Sequence, residues 1–243
     1  MVADPGWRRI GPDPAILNWA NAARPVAVSE LGRDDDLRCG GTWVVGLDLL
    51  PNAPDGSIGG CAFPWAAVGL VPEPLHRAQV SVIRSGYPLR DEGESPAAIA
   101  FRRNRDAAHL DGLLAIGAEK SRMIKEPHAW ILGLPLGEVT ASPLVVWEGS
   151  HQIMRRALLA ALAPHPSETW DQIDVTEAYK VARAEVFRMC PRRELPVLAG
   201  EATLLHRLTI HGVAPWQGAD ANDRMIAYFR PLLPSVADWL ARD

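Results

Sequence analysis

In the stretch "RRNRDAAHLDGLL" (102–114), a histidine and an aspartate stand two positions apart, His109 and Asp111, with Gly112 next. If the chain is extended through 105–111, side-chain alternation puts His109 and Asp111 on one face and Leu110 on the other, toward a core. An imidazole and a carboxylate on one face supply two ligands for a divalent cation. A second histidine from elsewhere would complete a two-histidine, one-carboxylate site, which leaves three adjacent positions open on an iron(II) ion. Two of these suit a bidentate co-substrate and one suits dioxygen. Gly112 lets the chain turn directly after the pair. The plainer reading is a hydrogen-bonded polar pair on a surface strand.

The third ligand must come from the other histidines, His76, His128, His151, His165, His206 and His211. The segment "GEATLLHRLTIHGVAPW" (200–216) holds two of them, five apart. Read as a single strand, an odd separation places them on opposite faces, so one metal takes only one of them. His211 stands directly before Gly212, which repeats the ligand-then-glycine arrangement, and it is the choice. His206 is then a packed or hydrogen-bonded histidine. Downstream, Arg224 heads the apolar strand "RMIAYF". A guanidinium entering such a strand calls for an anionic partner, which it can bind bidentately while staying charged. A dicarboxylate chelating iron at one end would set its other carboxylate there. Arg230 shares the parity of Arg224 and is the second candidate.

These side chains need a scaffold of strands. Twenty-one prolines and twenty glycines break the 243 residues into short apolar runs, the pattern of strands and turns. Strands are expected in 40–50, 78–88, 97–112, 128–139, 142–150, 195–200, 202–214 and 223–233. Helices are expected in 151–162 and in 174–190. The second should open with a capping box from Asp174 to Glu177 and bury Ala178, Val181, Ala182, Val186 and Met189. A short helix should close the chain at 235–243, and the polar stretch 88–98 reads as a loop. Many short strands with few helices favour a double-sheet barrel over a layered parallel fold. No linker divides the chain, so one domain spanning 1–243 is expected, with its core at about 78–232.

Composition narrows the function. Hydrophobic residues make up 48% and charged residues 22%, a globular balance. A net charge of −4 is too mild to point to nucleic acid or an acidic membrane. Cys39, Cys61 and Cys190 are odd in number and show no CxxC spacing, which argues against a disulfide framework or a zinc–thiolate site. The first residues lack the apolar run of a signal peptide, and no uninterrupted apolar stretch reaches membrane-spanning length. A cytoplasmic location and no membrane partner are the expectations.

Taken together, the His-x-Asp pair, "PLVVWEGSH" (143–151), "HRLTIHGVAP" (206–215) and the downstream arginine resemble the phytanoyl-CoA dioxygenase superfamily of iron(II)- and 2-oxoglutarate-dependent oxygenases. The resemblance spans about 78 to 232. It implies a mainly β fold, a double-stranded β-helix (jelly roll, cupin-like) with flanking helices. It also implies His109, Asp111 and His211 as catalytic iron ligands and Arg224 as the anchor of the 2-oxoglutarate co-substrate. Iron(II), 2-oxoglutarate, dioxygen and a small organic substrate would be its partners. Two positions depart from the family pattern. The serine that commonly follows the distal His-Gly is Val213, and the Pro-Asn often found next is Pro215-Trp216. Related halogenating enzymes replace the ligand aspartate with a small residue. Asp111 is retained, which favours hydroxylation.

Other residues have plainer readings. Ser150 and His151 start the helix at 151. Arg102, Arg103 and Arg105 form a solvated strand face. Trp130, Trp147 and Trp216 are core or pocket walls, and Arg84 and Tyr87 are substrate-pocket candidates. Glu73, Glu148 and His128 have no assigned role. Two other functions fit the ligand set: a cupin-like metalloenzyme that does not use 2-oxoglutarate, and a non-catalytic jelly-roll binding module. Substrate identity and oligomeric state are not encoded in these motifs.

Overall fold

The computed structural model describes residues 4–31, 37–219 and 222–241. In chain order, β1 (Trp7–Ile10) leads into α1 (Pro14–Leu31), then β2 (Leu37–Arg38), β3 (Trp43–Val44), α2 (Trp65–Val68) and β4 (Gln79–Ile83). Next come α3 (Pro96–Arg105), β5 (Leu113–Ile116), β6 (Ser121–Ile124), β7 (Trp130–Pro135) and β8 (Leu144–Trp147). The chain continues through α4 (Ser150–Leu162), α5 (Thr176–Met189), β9 (Arg192–Leu195) and β10 (Ala202–His206), then β11 (His211–Val213), β12 (Arg224–Phe229) and α6 (Val236–Leu240).

Two antiparallel sheets form the core. The large one runs β1-β10-β7-β12-β4-β3-β2 and the small one β11-β8-β9, extended at its β11 edge by a bridge between His109 and His211. Along the chain, β4 lies in the large sheet, the His109 segment in the small one, β7 in the large one, β8 and β9 in the small one, β10 in the large one, β11 in the small one and β12 in the large one. This alternation defines a double-stranded β-helix, the jelly roll the sequence implies. Helices flank it, and β1, α1, β2 and β3 add to the large sheet's edges and outer face.

Alternation within β12 shows how the sheet divides its labour. Met225, Ala227 and Phe229 point outward to the cluster that includes Trp19 of α1 and Phe63. The Phe229 ring meets Trp19 at 5.7 Å and Phe63 at 5.0 Å between centroids, both edge-on. α1 earns this contact with one apolar stripe: Ile16, Trp19, Ala20, Ala23 and Ala27, all buried. On the inner side, Ile131, Leu144, Val146, Leu195 and Leu205 pack together with Tyr228 and Trp7 between the sheets. A third cluster covers the outer face of the small sheet with α4, α5 and α6, and it takes in Val145, Trp147 and Leu110.

Several local expectations change. Residues 96–105 are helical, not extended. Ser95 caps α3 by accepting from Ala98 N at 3.2 Å, Pro96 stands in the first turn, and Asp106 ends the helix with φ 55°. A capping serine followed by proline is a helix start, and it outweighs the β-branched and aromatic content of "AAIAF". Arg102, Arg103 and Arg105 therefore lie in the last helical turn, where their charge suits the carbonyl end. The stretch 202–214 is two strands in different sheets, separated by a turn. A strand covers 192–195 in place of the one expected at 195–200. α5 buries Tyr179, Ala182 and Val186, while Val181 and Met189 face outward. No capping box forms there: Asp174 Oδ1 accepts from Thr176 N at 2.8 Å, and Val175 occupies the cap position.

Candidate metal centre

His109 and His211 are joined through the backbone. His109 N donates to His211 O at 2.9 Å, and His211 N donates to His109 O at 3.1 Å. This reciprocal pair sets the two imidazoles side by side, with ring centroids 4.7 Å apart. Asp111 lies beside them: its Oδ1 is 3.1 Å from His109 Nε2 and its Oδ2 is 3.7 Å from His211 Nε2. One ligand atom from each of the three residues falls within 4.8 Å of the others. Asp111 and His211 side chains are about nine-tenths buried, and His109 is 51% exposed, which leaves the cluster open on one side.

The histidine tautomers fit a metal. His109 Nδ1 lies 3.1 Å from Ala107 O, and His211 Nδ1 lies 2.9 Å from Thr209 O. A carbonyl only accepts, so each Nδ1 carries the hydrogen and each Nε2 is left facing Asp111, where it can hold a metal or, at His109, a proton hydrogen-bonded to the carboxylate. Two lone pairs facing a carboxylate repel one another unless a cation or a proton lies between them. Burial, the largest influence on His211, brings its pKa down to about 4, against the opposing pull of Asp111. Burial also pulls on His109, but the hydrogen bond and charge of Asp111 prevail and its pKa is raised. Burial would raise Asp111; the charges of His211, His109 and Arg230 hold it well below the usual carboxylate range. Two imidazoles and one ionised carboxylate are a donor set suited to iron(II).

His211 does stand beside His109 and Asp111, but the alternation argument that chose it over His206 does not hold. His206 and His211 do not alternate along one strand. His206 ends β10 in the large sheet and stacks on His151 at 4.6 Å, while His211 opens β11 in the small sheet. The extended geometry assumed for 105–111 is present only around the bridge at His109. Leu110 is buried in the outer cluster as expected. Gly112 takes φ 89° and its carbonyl accepts from Lys125 N at 2.9 Å, so the chain does turn directly after Asp111.

Two residues with no assigned role in the sequence hold this segment in place. Asp106 O accepts from Val213 N at 2.8 Å, and Asp106 Oδ1 and Oδ2 each accept from Arg192 at 2.7 Å. Gly212 packs against the Asp106 carbonyl so closely that a Cβ would overlap it. Nothing in the sequence around Arg192 marks it as Asp106's partner, 86 residues away.

Arg224 is 3% exposed. It stands opposite Ile83 in the register of β12 and β4. Ile83 packs with Cys39, Tyr87, Trp43, Val213 and Trp216, so Arg224 lies toward the Val213 side of the His211 strand. Its Nη2 reaches Tyr228 Oη at 3.4 Å, and its Nη1 is buried without a hydrogen-bond partner. No carboxylate pairs with it among the described residues. Arg230, the second candidate, is engaged: its Nη1 donates to Asp111 Oδ2 at 3.1 Å and its Nη2 to Gln79 Oε1 at 2.6 Å.

The remaining candidates separate. Ser150 Oγ accepts from Ile210 N at 2.9 Å and ties α4 to the turn before His211. Trp147 packs outward against Phe187 at 5.2 Å, and Trp130 donates to Glu73 Oε1 at 3.0 Å, both away from the inner face. Trp216 and Tyr87 share the Val213 cluster, and burial pushes the Tyr87 hydroxyl's pKa up. Arg84 donates to Gly41 O at 3.2 Å and pairs with Asp223. Glu148 accepts from Trp7 and Arg193, and His128 Nδ1 bonds the Arg230 carbonyl.

No family model matches the chain, and no curated protein matches it. Among solved structures, it resembles the non-haem alpha-ketoglutarate-dependent carbocyclase SnoK from nogalamycin biosynthesis, with 14% identity, 97% of this chain and 85% of that one covered, and a TM-score of 0.47. It also resembles EctD from S. alaskensis, solved with 2-oxoglutarate and 5-hydroxyectoine, at 12% identity, 93% and 72% coverage and a TM-score of 0.45. A third is HygX from Streptomyces hygroscopicus, solved with nickel, 2-oxoglutarate and hygromycin B, at 14% identity, 93% and 82% coverage and a TM-score of 0.42. At such identities and TM-scores, the chemistry of the site rests on its own geometry. No described helix is long and apolar enough to cross a membrane.

Proposed function

We propose that the chain is an iron(II)- and 2-oxoglutarate-dependent oxygenase acting on a small organic substrate, with hydroxylation of an unactivated C–H bond as its outcome. One observation carries the reading: His109, Asp111 and His211 present their ligand atoms within 4.8 Å of one another, with both Nε2 atoms turned toward Asp111. His109 Nε2, His211 Nε2 and an Asp111 oxygen would hold the iron. Arg224, buried and without an acidic partner, would hold the far carboxylate of 2-oxoglutarate. When bound, iron with 2-oxoglutarate and dioxygen supplies the oxidising power. The protein's share is to fix the ligands, orient the co-substrate and admit substrate on the open His109 side. Val213, packed against Trp216 and Tyr87, replaces the family serine with an apolar wall. That leaves Tyr228 Oη as the hydroxyl nearest Arg224 in this reading. Three free cysteines accord with a reducing cytoplasm.

The test is iron(II)-dependent conversion of 2-oxoglutarate to succinate by the purified chain. Activity that needs both additions and disappears in Asp111→Ala is the expected result. Succinate formation unaffected by that substitution would rule the reading out.

A further inference from the structure

Arg230 is held at its backbone and at its guanidinium beside the three clustered side chains. Its backbone N–H donates to His76 Nε2 at 3.0 Å, and its carbonyl is bonded by His128 Nδ1 at 3.1 Å. His76 is locked in turn, because its Nδ1 lies 2.6 Å from Arg77 O and so carries the hydrogen. At the guanidinium, Nη2 donates to Gln79 Oε1 at 2.6 Å. Gln79 is oriented by its own Nε2, which donates to Val45 O at 2.9 Å. Every element of this bracket lies in or beside the large sheet, yet Nη1 crosses to Asp111 Oδ2 at 3.1 Å, while Nε is buried without a hydrogen-bond partner.

The two carboxylate oxygens are thereby divided. Oδ1 faces His109 Nε2 at 3.1 Å, and Oδ2 faces Arg230 at 3.1 Å, with His211 Nε2 farther off at 3.7 Å. We propose that Arg230 is the positioning residue of the metal centre: it holds Asp111 Oδ2 so that Oδ1 alone is presented to the metal. The proposal rests on the metal reading above and deepens it. A carboxylate gripped at one oxygen ligates through the other, and this keeps open a position that bidentate coordination would occupy. Arg suits the task because its planar fork can satisfy Gln79 and Asp111 together, which a lysine amine on a flexible stem does less rigidly.

Two effects of removing Arg230 oppose each other. Its positive charge repels a divalent cation, so charge alone predicts tighter metal binding after removal. Its grip on the carboxylate predicts weaker binding, and partners that orient a metal ligand typically contribute about 10–100-fold in affinity. The site's construction favours the second effect. Without Arg230, Oδ2 keeps His211 Nε2 at 3.7 Å as a neighbour, itself a proposed ligand.

The experiment is titration of the metal-free protein with manganese(II), read by the free-ion EPR signal, on wild type, Arg230→Met, Arg230→Lys, Gln79→Ala and Asp111→Ala. Wild type binds and Asp111→Ala does not. Arg230→Met weakens binding about 10–100-fold, and Arg230→Lys recovers most of the loss because it keeps a donor within reach. Gln79→Ala removes only the brace and weakens binding by a smaller factor; it also serves if Arg230→Met does not fold. Unchanged or tighter binding in folded Arg230→Met, or unchanged binding in Gln79→Ala, overturns the proposal while leaving the metal reading intact. Failure of wild type to bind manganese overturns both.

Discussion

Asp106 and Arg192 form a two-pronged ion pair, with both guanidinium–carboxylate contacts at 2.7 Å, and the carboxylate is 3% exposed. The pair fastens the end of α3 to β9, and the Asp106 carbonyl in turn accepts from Val213 N. The His109 segment is therefore fastened to β9 and to β11, which carries His211, by bonds made at a residue outside the cluster. Arg192→Ala leaves a buried carboxylate unpaired. Because the guanidinium is 40% exposed, the expected loss is about 2 kcal/mol, below the range for a fully buried pair. Urea denaturation measures it, and a loss under half a kcal/mol would show that water replaces the arginine without penalty.

Gly212→Ala is expected to be harsher than its one added carbon suggests. The new Cβ would overlap the Asp106 carbonyl, which is backbone and cannot rotate away. The relief available is to part β11 from the His109 segment. The variant should lose about 1–3 kcal/mol of stability, and manganese(II) affinity should fall with it. A variant as stable as wild type that binds metal normally would mean the contact is looser than it stands here.

Arg224→Met should separate binding from stability. Removing a buried cation with no acidic partner relieves a desolvation cost, so the metal-free protein should melt at the same temperature or higher. The stabilisation given by 2-oxoglutarate with manganese(II), about 2.7 kcal/mol at a hundred times the dissociation constant, should vanish. A destabilised variant that still responds to 2-oxoglutarate would place the anchor elsewhere.

Cys39 gives a pH-dependent prediction away from the metal centre. Burial raises its thiol pKa to about 11, only partly offset by Arg102. In the unfolded chain the thiol ionises near pH 8.5. Between these values the unfolded state has lost the proton and the folded state keeps it, so this contribution is full below about pH 8.5 and lost as pH rises through about 11. Wild type should therefore lose melting temperature across that window faster than Cys39→Ala. At pH 8, alkylation should reach the partly exposed Cys61 before Cys39. Parallel melting curves for the two proteins would contradict the assignment.

The sequence disclosed the strands that face the core and the side chains that meet there. The alternation in "RMIAYF" survives in β12, and His109, Asp111 and His211 converge. It did not disclose how the chain reaches that point. The Ser95–Pro96 cap signalled a helix, but apolar content near it suggested a strand. The 18-residue α1 was not anticipated, although its buried residues form a stripe from Ile16 to Ala27; Pro25 stands inside it. The turn between His206 and His211 has no glycine or proline to announce it. Asp106 with Arg192 and Arg230 with Gln79 depend on contacts across 86 and 151 residues, which local pattern does not encode.

The reciprocal backbone bonds between His109 and His211 also set an order of events during synthesis. A nascent polypeptide that has emerged only as far as residue 200 possesses two of the three clustered side chains, and the edge where His109 docks does not yet exist. In the proposed reading, metal capture waits until the last fifth of the protein leaves the ribosome. A fragment truncated in that interval would circulate without iron rather than with a partly coordinated, redox-active ion.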